Sequence, residues 1–195
     1  MVLGGSPPAH PVVYITDQRT LGAGFFTVRV ENGESLEGGG FTLATPNPLY
    51  VKGHFNRVNP QPAMLAGDAI TVLSGDWKDS NSREPLANRR AVDTTINAAI
   101  LVGIVPANGT YGSGWVANVL RLLEHWGGRT LHFSGSTAVL FESEEAVGAF
   151  YHGDYYYRPE LRTFTFVDYF SGVALADVPT VKMAVRSDYR LLAPL

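Results

Sequence analysis

The chain has 195 residues, of which 45% are hydrophobic and 17% charged, and its formal net charge is −3. This length suits one domain with a sizeable core, and the absence of any run of Lys or Arg argues against nucleic-acid binding, which needs a basic stripe. The sequence has no cysteine and no apolar stretch near the roughly 20 residues that cross a bilayer. Disulfides, thiolate metal sites and a membrane span within this sequence are therefore excluded.

Short strands joined by tight turns are predicted along most of the chain, because 21 Gly and 12 Pro are scattered among Val, Thr, Tyr and Phe. Residues 1–11 are rich in Gly and Pro and predict a flexible leader, which leaves residues 12–195 as a single β-rich domain. The predicted strands are Val12–Thr16, Phe25–Val30, Phe41–Thr45, Leu49–Asn56, Met64–Ser74, Thr94–Val105, Thr130–Phe133, Thr137–Glu142 and Val181–Val185.

Several of these strands form pairs that are divided by a short kink. Leu49 and Ala69 each open the second strand of such a pair and lie 20 positions apart, which is a normal coil length for a parallel solenoid. We place the next equivalent positions at Ala98 and Thr137, after longer intervals that contain insertions. The pattern predicts a mainly β, single-domain parallel β-solenoid (β-helix). An antiparallel β-sandwich built from hairpins is the alternative.

One or two short helices are predicted to cover the solenoid. Ser113 suits the N-cap of a helix over Gly114–Trp126, whose apolar residues recur at spacings of three and four, and Gly127-Gly128 suits its end. A shorter helix is predicted from Ser143, because two glutamates follow where the helix dipole favours negative charge. Such helices would shield one face or an open edge of the sheets.

A search for catalytic motifs finds none that is specific. Ser113 lies outside the Gly-x-Ser-x-Gly spacing of a hydrolase nucleophile, and the five histidines are dispersed, so we predict no metal and no cofactor. Sugar cleavage needs two carboxyl groups about 5 to 10 Å apart beside a cleft. Asp76 and Asp93 are expected on nearby coils, although Asp68 and Asp76 equally suit turns. The candidate carboxylates are Asp68, Asp76, Asp79, Asp93, Glu142 and Glu145.

The most unusual composition is an aromatic segment near residue 155. This segment combines three rigid rings that carry hydroxyl groups with one guanidinium, and these four residues carry no other charge: Tyr155, Tyr156, Tyr157 and Arg158. Exposed tyrosines stack on sugars or anchor protein interfaces, and the guanidinium can stack or bind an acceptor with two hydrogen bonds. These four residues are the predicted partner-binding site. The alternative is that the rings pack beneath a loop on the solenoid.

Several ordered phrases stand out along the chain: Thr45–Asn56, Asp68–Ser74 with Trp77, Thr94–Leu101 with Gly103, Leu122–Trp126, and Gly135-Ser136 followed by Leu140–Ser143. Together they resemble the C-terminal extracellular region of PilX-like proteins. These proteins are associated with type IV pilus assembly in Planctomycetes-like and Verrucomicrobia-like bacteria, and the similarity spans roughly residues 28–160.

The resemblance implies an extracellular or cell-surface location and a structural or adhesive role without chemistry of its own. Its implied partners are other surface or pilus subunits, with polysaccharide as a further expectation. PilX-like proteins resemble pilins in having an N-terminal membrane helix, so the resemblance also implies an anchor upstream of this chain. Two alternative functions remain, a carbohydrate-active β-solenoid enzyme and a self-associating filament subunit, which would be a homo-oligomer.

Overall fold

The computed structural model describes residues 11–17, 19, 26–105 and 119–147, together with the backbone of residues 161–165. Within these ranges the chain forms twelve strands, and two short 3₁₀ segments follow β6, at Asp79–Arg83 and Leu86–Asn88. The strands are β1 (Val12–Tyr14), β2 (Val28–Glu31), β3 (Phe41–Ala44), β4 (Leu49–Lys52), β5 (Ala63–Gly67), β6 (Ile70–Leu73), β7 (Thr94–Asn97), β8 (Ala99–Ile104), β9 (Leu120–Leu122), β10 (Thr130–Ser134), β11 (Thr137–Glu142) and β12 (Leu161–Thr165).

These strands form three sheets. The five-stranded sheet has the order β1-β3-β5-β8-β11, the four-stranded sheet β2-β4-β6-β9, and the three-stranded sheet β12-β10-β7. Twelve strands beside two short 3₁₀ segments confirm the predicted mainly β class. Every pairing among the described strands is parallel. The antiparallel hairpins of the alternative sandwich do not occur among these strands. Strands that follow one another along the chain lie in different sheets, because parallel neighbours need a crossover connection.

The predicted parallel pairing of the Leu49 and Ala69 segments is confirmed. Strands β4 and β6 are parallel neighbours, with Leu49 opposite Ile70, so the step between them is 21 residues rather than 20. The short kink between β5 and β6 is also hydrogen-bonded to the kink between β3 and β4. The backbone N–H of Asp68 donates to the carbonyl of Asn47 at 3.2 Å.

The predicted continuation of this repeat to Ala98 and Thr137 is wrong. Ala98 precedes β8 and Thr137 opens β11, and both strands belong to the five-stranded sheet. In the four-stranded sheet the next strand is β9, in which Leu120 lies opposite Ile70. Among the described strands the short kinks are of two kinds: one leads from the five-stranded to the four-stranded sheet, and the other from the three-stranded to the five-stranded sheet. Their similar composition hides this difference in the sequence.

Columns of aliphatic side chains fill the inner side of the four-stranded sheet. One column aligns Leu49, Ile70 and Leu120, and its neighbour aligns Val51, Val72 and Leu122, all of them buried. Successive positions of a strand alternate between the two faces of the sheet, so every second residue points inward. The β-branched and γ-branched side chains at these inner positions pack against the side chains directly opposite on the neighbouring strands. The intervening residues, Tyr50, Thr71 and Arg121, form the corresponding row on the outer face.

The predicted helix over Gly114–Trp126 is wrong where the structure describes it. Residues 120–122 form β9 instead, and residues 114–118 lie outside the described part of the chain. Leu120, Leu122, Glu124 and Trp126 are buried at alternate positions, a period of two that the helical spacing concealed. Tertiary pairing with β6 therefore decides the conformation of this segment.

The shorter helix predicted from Ser143 is also absent from residues 143–147. The backbone N–H groups of Glu144, Glu145 and Ala146 donate to the carboxylate of Asp68 instead, at 2.5, 3.2 and 2.9 Å. A carboxylate that accepts three amide hydrogen bonds satisfies donors that a first helical turn would otherwise leave free. Asp68 thus attaches the segment after β11 to the kink between β5 and β6.

Two buried asparagines stack at the turn that leads into the five-stranded sheet. The side-chain amide of Asn56 donates to the carbonyl of Asn97 at 2.9 Å, and the amide of Asn97 donates to the carbonyl of Asn56 at 2.8 Å. Asn56 has φ of 55°, a left-handed conformation that asparagine tolerates better than most residues. This reciprocal pair satisfies buried backbone groups and fixes neighbouring turns in register.

Candidate functional site

A groove runs over the outer face of the four-stranded sheet. Its volume is about 540 Å³, and we call it the sheet groove. The outer positions of the strands form its floor, and the 3₁₀ segment that follows β6 forms one wall. The residues that line it are Thr27, Arg29, Tyr50, Leu73, Trp77, Asp79, Ser82 and Leu123.

The wall is held in place by charges that pair with one another. The guanidinium of Arg29 contacts Asp79 Oδ1 through Nη1 and Glu31 Oε1 through Nε, both at 2.7 Å. The indole N–H of Trp77 donates to the same Oδ1 at 3.0 Å. The hydrogen bonds from Arg29 and Trp77 lower the pKa of Asp79, and the bond to Asp79 raises the pKa of Arg29. Both groups are therefore ionised at neutral pH, and they connect the 3₁₀ segment to β2.

The floor of the sheet groove offers an aromatic ring beside apolar side chains. Tyr50 is half-buried in the outer row of β4, and Leu123 is half-buried just after β9. Burial raises the pKa of the Tyr50 hydroxyl, so it stays protonated at neutral pH and can both donate and accept a hydrogen bond. A ring with a polar tip is suited to ligands that have an apolar face and hydroxyl groups.

A smaller cavity of about 280 Å³ lies next to the groove, where β2 and β4 end. We call it the corner cavity. Glu31 joins the two, since it contacts Arg29 in the groove wall and lies 3.9 Å from Lys52 Nζ at the edge of the corner cavity. The residues that line the corner cavity are Glu31, Asn32, Glu34, Lys52, Gly53, His54 and Gly75.

His54 contributes a neutral imidazole to the corner cavity. Its Nδ1 accepts a hydrogen bond from the backbone N–H of Thr95 at 3.0 Å, which places the proton of the neutral ring on Nε2. Burial lowers the pKa of His54 and the charge of Arg57 lowers it further, while Glu34 and Asp93 oppose this change. The imidazole is thus neutral at pH 7, and its polar contact serves the backbone pairing with β7.

Charge balance decides which ligand chemistry suits these two cavities. Arg29 and Lys52 provide two positive charges, and Glu31 and Asp79 pair with them as two negative charges. The third carboxylate, Glu34 of the corner cavity, pairs with Arg57. A polyanion or polycation would have to displace these contacts, whereas a neutral ligand with many hydroxyl groups could bind beside them. In the described ranges no cluster of three or more His, Asp or Glu side chains is arranged to hold a metal ion.

Three of the predicted carboxylates have structural contacts. Asp68 is buried in the kink, as the turn interpretation predicted, and holds residues 144–146. Asp93 Oδ1 accepts the backbone N–H of Thr130 at 2.9 Å, at the start of β10. Asp79 belongs to the groove wall.

The other three carboxylates are exposed, as Asp79 and Asp93 also are. Asp76 lies in the turn after β6, Glu142 ends β11, and Glu145 lies in the segment that follows β11. The predicted partner-binding residues, Tyr155, Tyr156, Tyr157 and Arg158, lie outside the described residues.

A buried carboxylate forms a separate polar cluster. Glu124 is 1% exposed, and its two oxygens accept the hydroxyl and the backbone N–H of Ser74, each at 2.6 Å. Burial raises the pKa of Glu124, although the hydrogen bonds from Ser74 oppose this change. Since Ser74 follows β6 and Glu124 follows β9, the contact connects the exits of two paired strands.

Of the residues that line the sheet groove, only Asp79 was among the candidates from the sequence, although a signal for Arg29 and Tyr50 was present. Alternation along β2 places Arg29 and Glu31 outward, and the same alternation along β4 places Tyr50 and Lys52 outward. These four residues are paired in register between the two strands. Comparisons of the chain with protein-family models, curated proteins and solved structures found no match.

Proposed function

We propose that this chain is a parallel β-solenoid that acts as a structural and adhesive module of a pilus-like or other surface assembly, and that its sheet groove binds a neutral polysaccharide. The observation that carries this proposal is the groove itself. It combines the half-buried ring of Tyr50 with a wall whose charges are already paired.

The solenoid interpretation is supported by the order of strands in the three sheets. Sequence neighbours such as β8, β9, β10 and β11 alternate between sheets, while each sheet grows by parallel addition of strands from later in the chain. Aliphatic columns form a continuous apolar interior, and the paired asparagines Asn56 and Asn97 join two neighbouring turns. Such stacking makes a rigid scaffold, because each unit is held mainly by its neighbours.

The ligand class follows from the balance of ring and charge. A sugar ring has an apolar face that packs on Tyr50, and its hydroxyl groups can bind the phenol, Ser82 and Asp79 in the groove. Since the charges are paired, affinity should depend little on ionic strength, unlike the binding of a polyanion. The groove is open at the surface, which suits a polymer whose length exceeds the site.

The surface location rests on the resemblance to PilX-like proteins, and so do the proposed partners, which are other surface or pilus subunits. In the part of the chain that the structure describes, no helix is both long and apolar enough to cross a membrane.

The test is a binding measurement by calorimetry and affinity electrophoresis with neutral glucans and galactans, beside an acidic polysaccharide. We expect a neutral polymer to bind and Tyr50→Ala to weaken its binding about tenfold, which corresponds to about 1.4 kcal/mol for the loss of one stacked ring. Val58→Ala is the control, because Val58 is an exposed apolar residue outside the groove and its loss should leave affinity unchanged.

Two results would contradict the proposal. Unchanged affinity in Tyr50→Ala would exclude the groove as the binding site, and preferential, salt-sensitive binding of the acidic polymer would exclude the proposed ligand class. Release of reducing ends from any of these polymers, measured in the same samples, would show a carbohydrate-active enzyme instead of an adhesive module.

A further inference from the structure

The two outer strands of the five-stranded sheet are exposed and apolar. Strand β1 opens this sheet and β11 closes it, and neither has a second partner strand among the described residues. Tyr14 on β1 is 67% exposed, and Leu140 on β11 is 69% exposed. The other large exposed hydrophobic residues at the two edges are Val12, Ile15, Val139 and Phe141.

These two edges are complementary to each other. All strands of the sheet are parallel. Strand β1 of another copy can therefore lie beside β11 and form parallel hydrogen bonds with its free backbone groups, so that the sheet continues from one copy into the next. Strand β1 carries no charged residue, and β11 carries only Glu142 at its end. Natural edge strands are usually protected by lysine, proline or a covering element, and β1 and β11 contain neither lysine nor proline.

The register defines which residues would meet. Within one molecule the row that starts at Tyr14 continues through Ala44, Ala66 and Leu101 to Ala138. The pairing of β11 with β8 is regular up to Val139, after which it shifts. Continuation of the sheet therefore places Ala138 of one copy opposite Tyr14 of the next, over a segment as short as β1 itself.

We infer that copies of this chain associate head to tail, with β11 of one copy pairing in parallel with β1 of the next copy. The contact uses a different surface on each partner, so every added copy leaves one edge free for the next copy. Such a head-to-tail contact generates a filament unless the rotation between successive copies closes a ring. The contact is independent of the sheet groove, so failure of one proposal leaves the other standing.

Because the chain has no cysteine, a disulfide between two introduced cysteines tests this contact directly. In the double variant Tyr14→Cys with Ala138→Cys, four strand steps of about 4.8 Å separate the two positions within one molecule, about 19 Å in total. A disulfide needs Cα atoms within about 7 Å, so the two cysteines can join only between copies. Mild oxidation should produce a ladder of linked oligomers on non-reducing gels.

The controls separate this contact from random collision. Each single variant can form at most a linked dimer, and the pair Tyr14→Cys with Val58→Cys should give no ladder, since Val58 is exposed outside both edges. Sedimentation of the cysteine-free chain should show mass that rises with concentration, and Ala138→Lys should abolish this rise while Val58→Lys preserves it. A monomer at all concentrations, or ladders of equal extent in both cysteine pairs, would overturn the inference.

Discussion

Two adjacent leucines allow a test of the conformation of β9. Leu122 is 0% exposed and lies in the inner column with Val51 and Val72, whereas Leu123 is half-buried and lines the sheet groove. The same substitution, Leu→Ala, should therefore have very different effects at the two positions. A helix over this segment would instead place Leu123 on the buried side, with Val119, Leu120 and Trp126.

The magnitudes follow from burial. Leu122→Ala should lower the free energy of unfolding by about 3 kcal/mol, within the range of about 2 to 5 for a leucine in a close-packed core. Leu123→Ala should cost about 1 kcal/mol or less, because much of its side chain remains in contact with water. For a chain of this length, Tm should decrease by about 6 to 12 °C in Leu122→Ala and by at most about 4 °C in Leu123→Ala.

The assay is urea unfolding followed by the fluorescence of the tryptophans, with circular dichroism to check that both variants keep their strand content. The midpoint should decrease strongly for Leu122→Ala and weakly for Leu123→Ala, at an unchanged slope. Equal losses, or a larger loss for Leu123→Ala, would refute the assignment of this segment as a strand of the four-stranded sheet.

Two further predictions concern pH. The pKa of His54 is lowered by burial, so below the ordinary value of 6.5 the unfolded chain binds more protons than the native state. The free energy of unfolding should therefore fall as the pH drops below that value. His54→Gln should remove this part of the decrease, as measured by urea unfolding at a series of pH values. The pKa of Glu124 is raised by burial, so the native state favours the protonated form. As the pH rises above the ordinary value of 4.5, the wild type should lose stability relative to Glu124→Gln, and a constant difference in free energy across that range would contradict the burial of a titrating carboxylate.

Most strands could be predicted from local sequence. The predicted segments Phe41–Thr45 and Thr137–Glu142 match β3 and β11 closely, and the long segments Met64–Ser74 and Thr94–Val105 each divide into two strands. These strands carry their own evidence, since apolar alternation and turn residues lie within a few positions of one another.

Strand β9 could not be predicted in the same way. It has three residues, and the interval of 50 positions between Thr71 and its partner Arg121 exceeds any repeat visible in the sequence. Its apolar residues fit both a helical and an extended period, so only the pairing with β6 distinguishes the two. The sheet groove was hidden for a related reason: its residues come from strands and a 3₁₀ segment between positions 27 and 123, and the register that brings them together is not a local property.

The same register separates the residues that stabilise the fold from those that are free to bind. Inner positions such as Leu49 and Val72 must stay apolar, and the kinks need residues such as Asp68 and Asn56 that satisfy buried backbone groups. Outer positions and the segment inserted between β6 and β7 have no such requirement, and they supply Tyr50 and Asp79 to the groove. A change in ligand preference can therefore arise at the groove without loss of the core. For this reason Tyr50→Ala should weaken binding while lowering the free energy of unfolding by only about 1 kcal/mol, well below the loss of about 3 kcal/mol expected for Leu122→Ala.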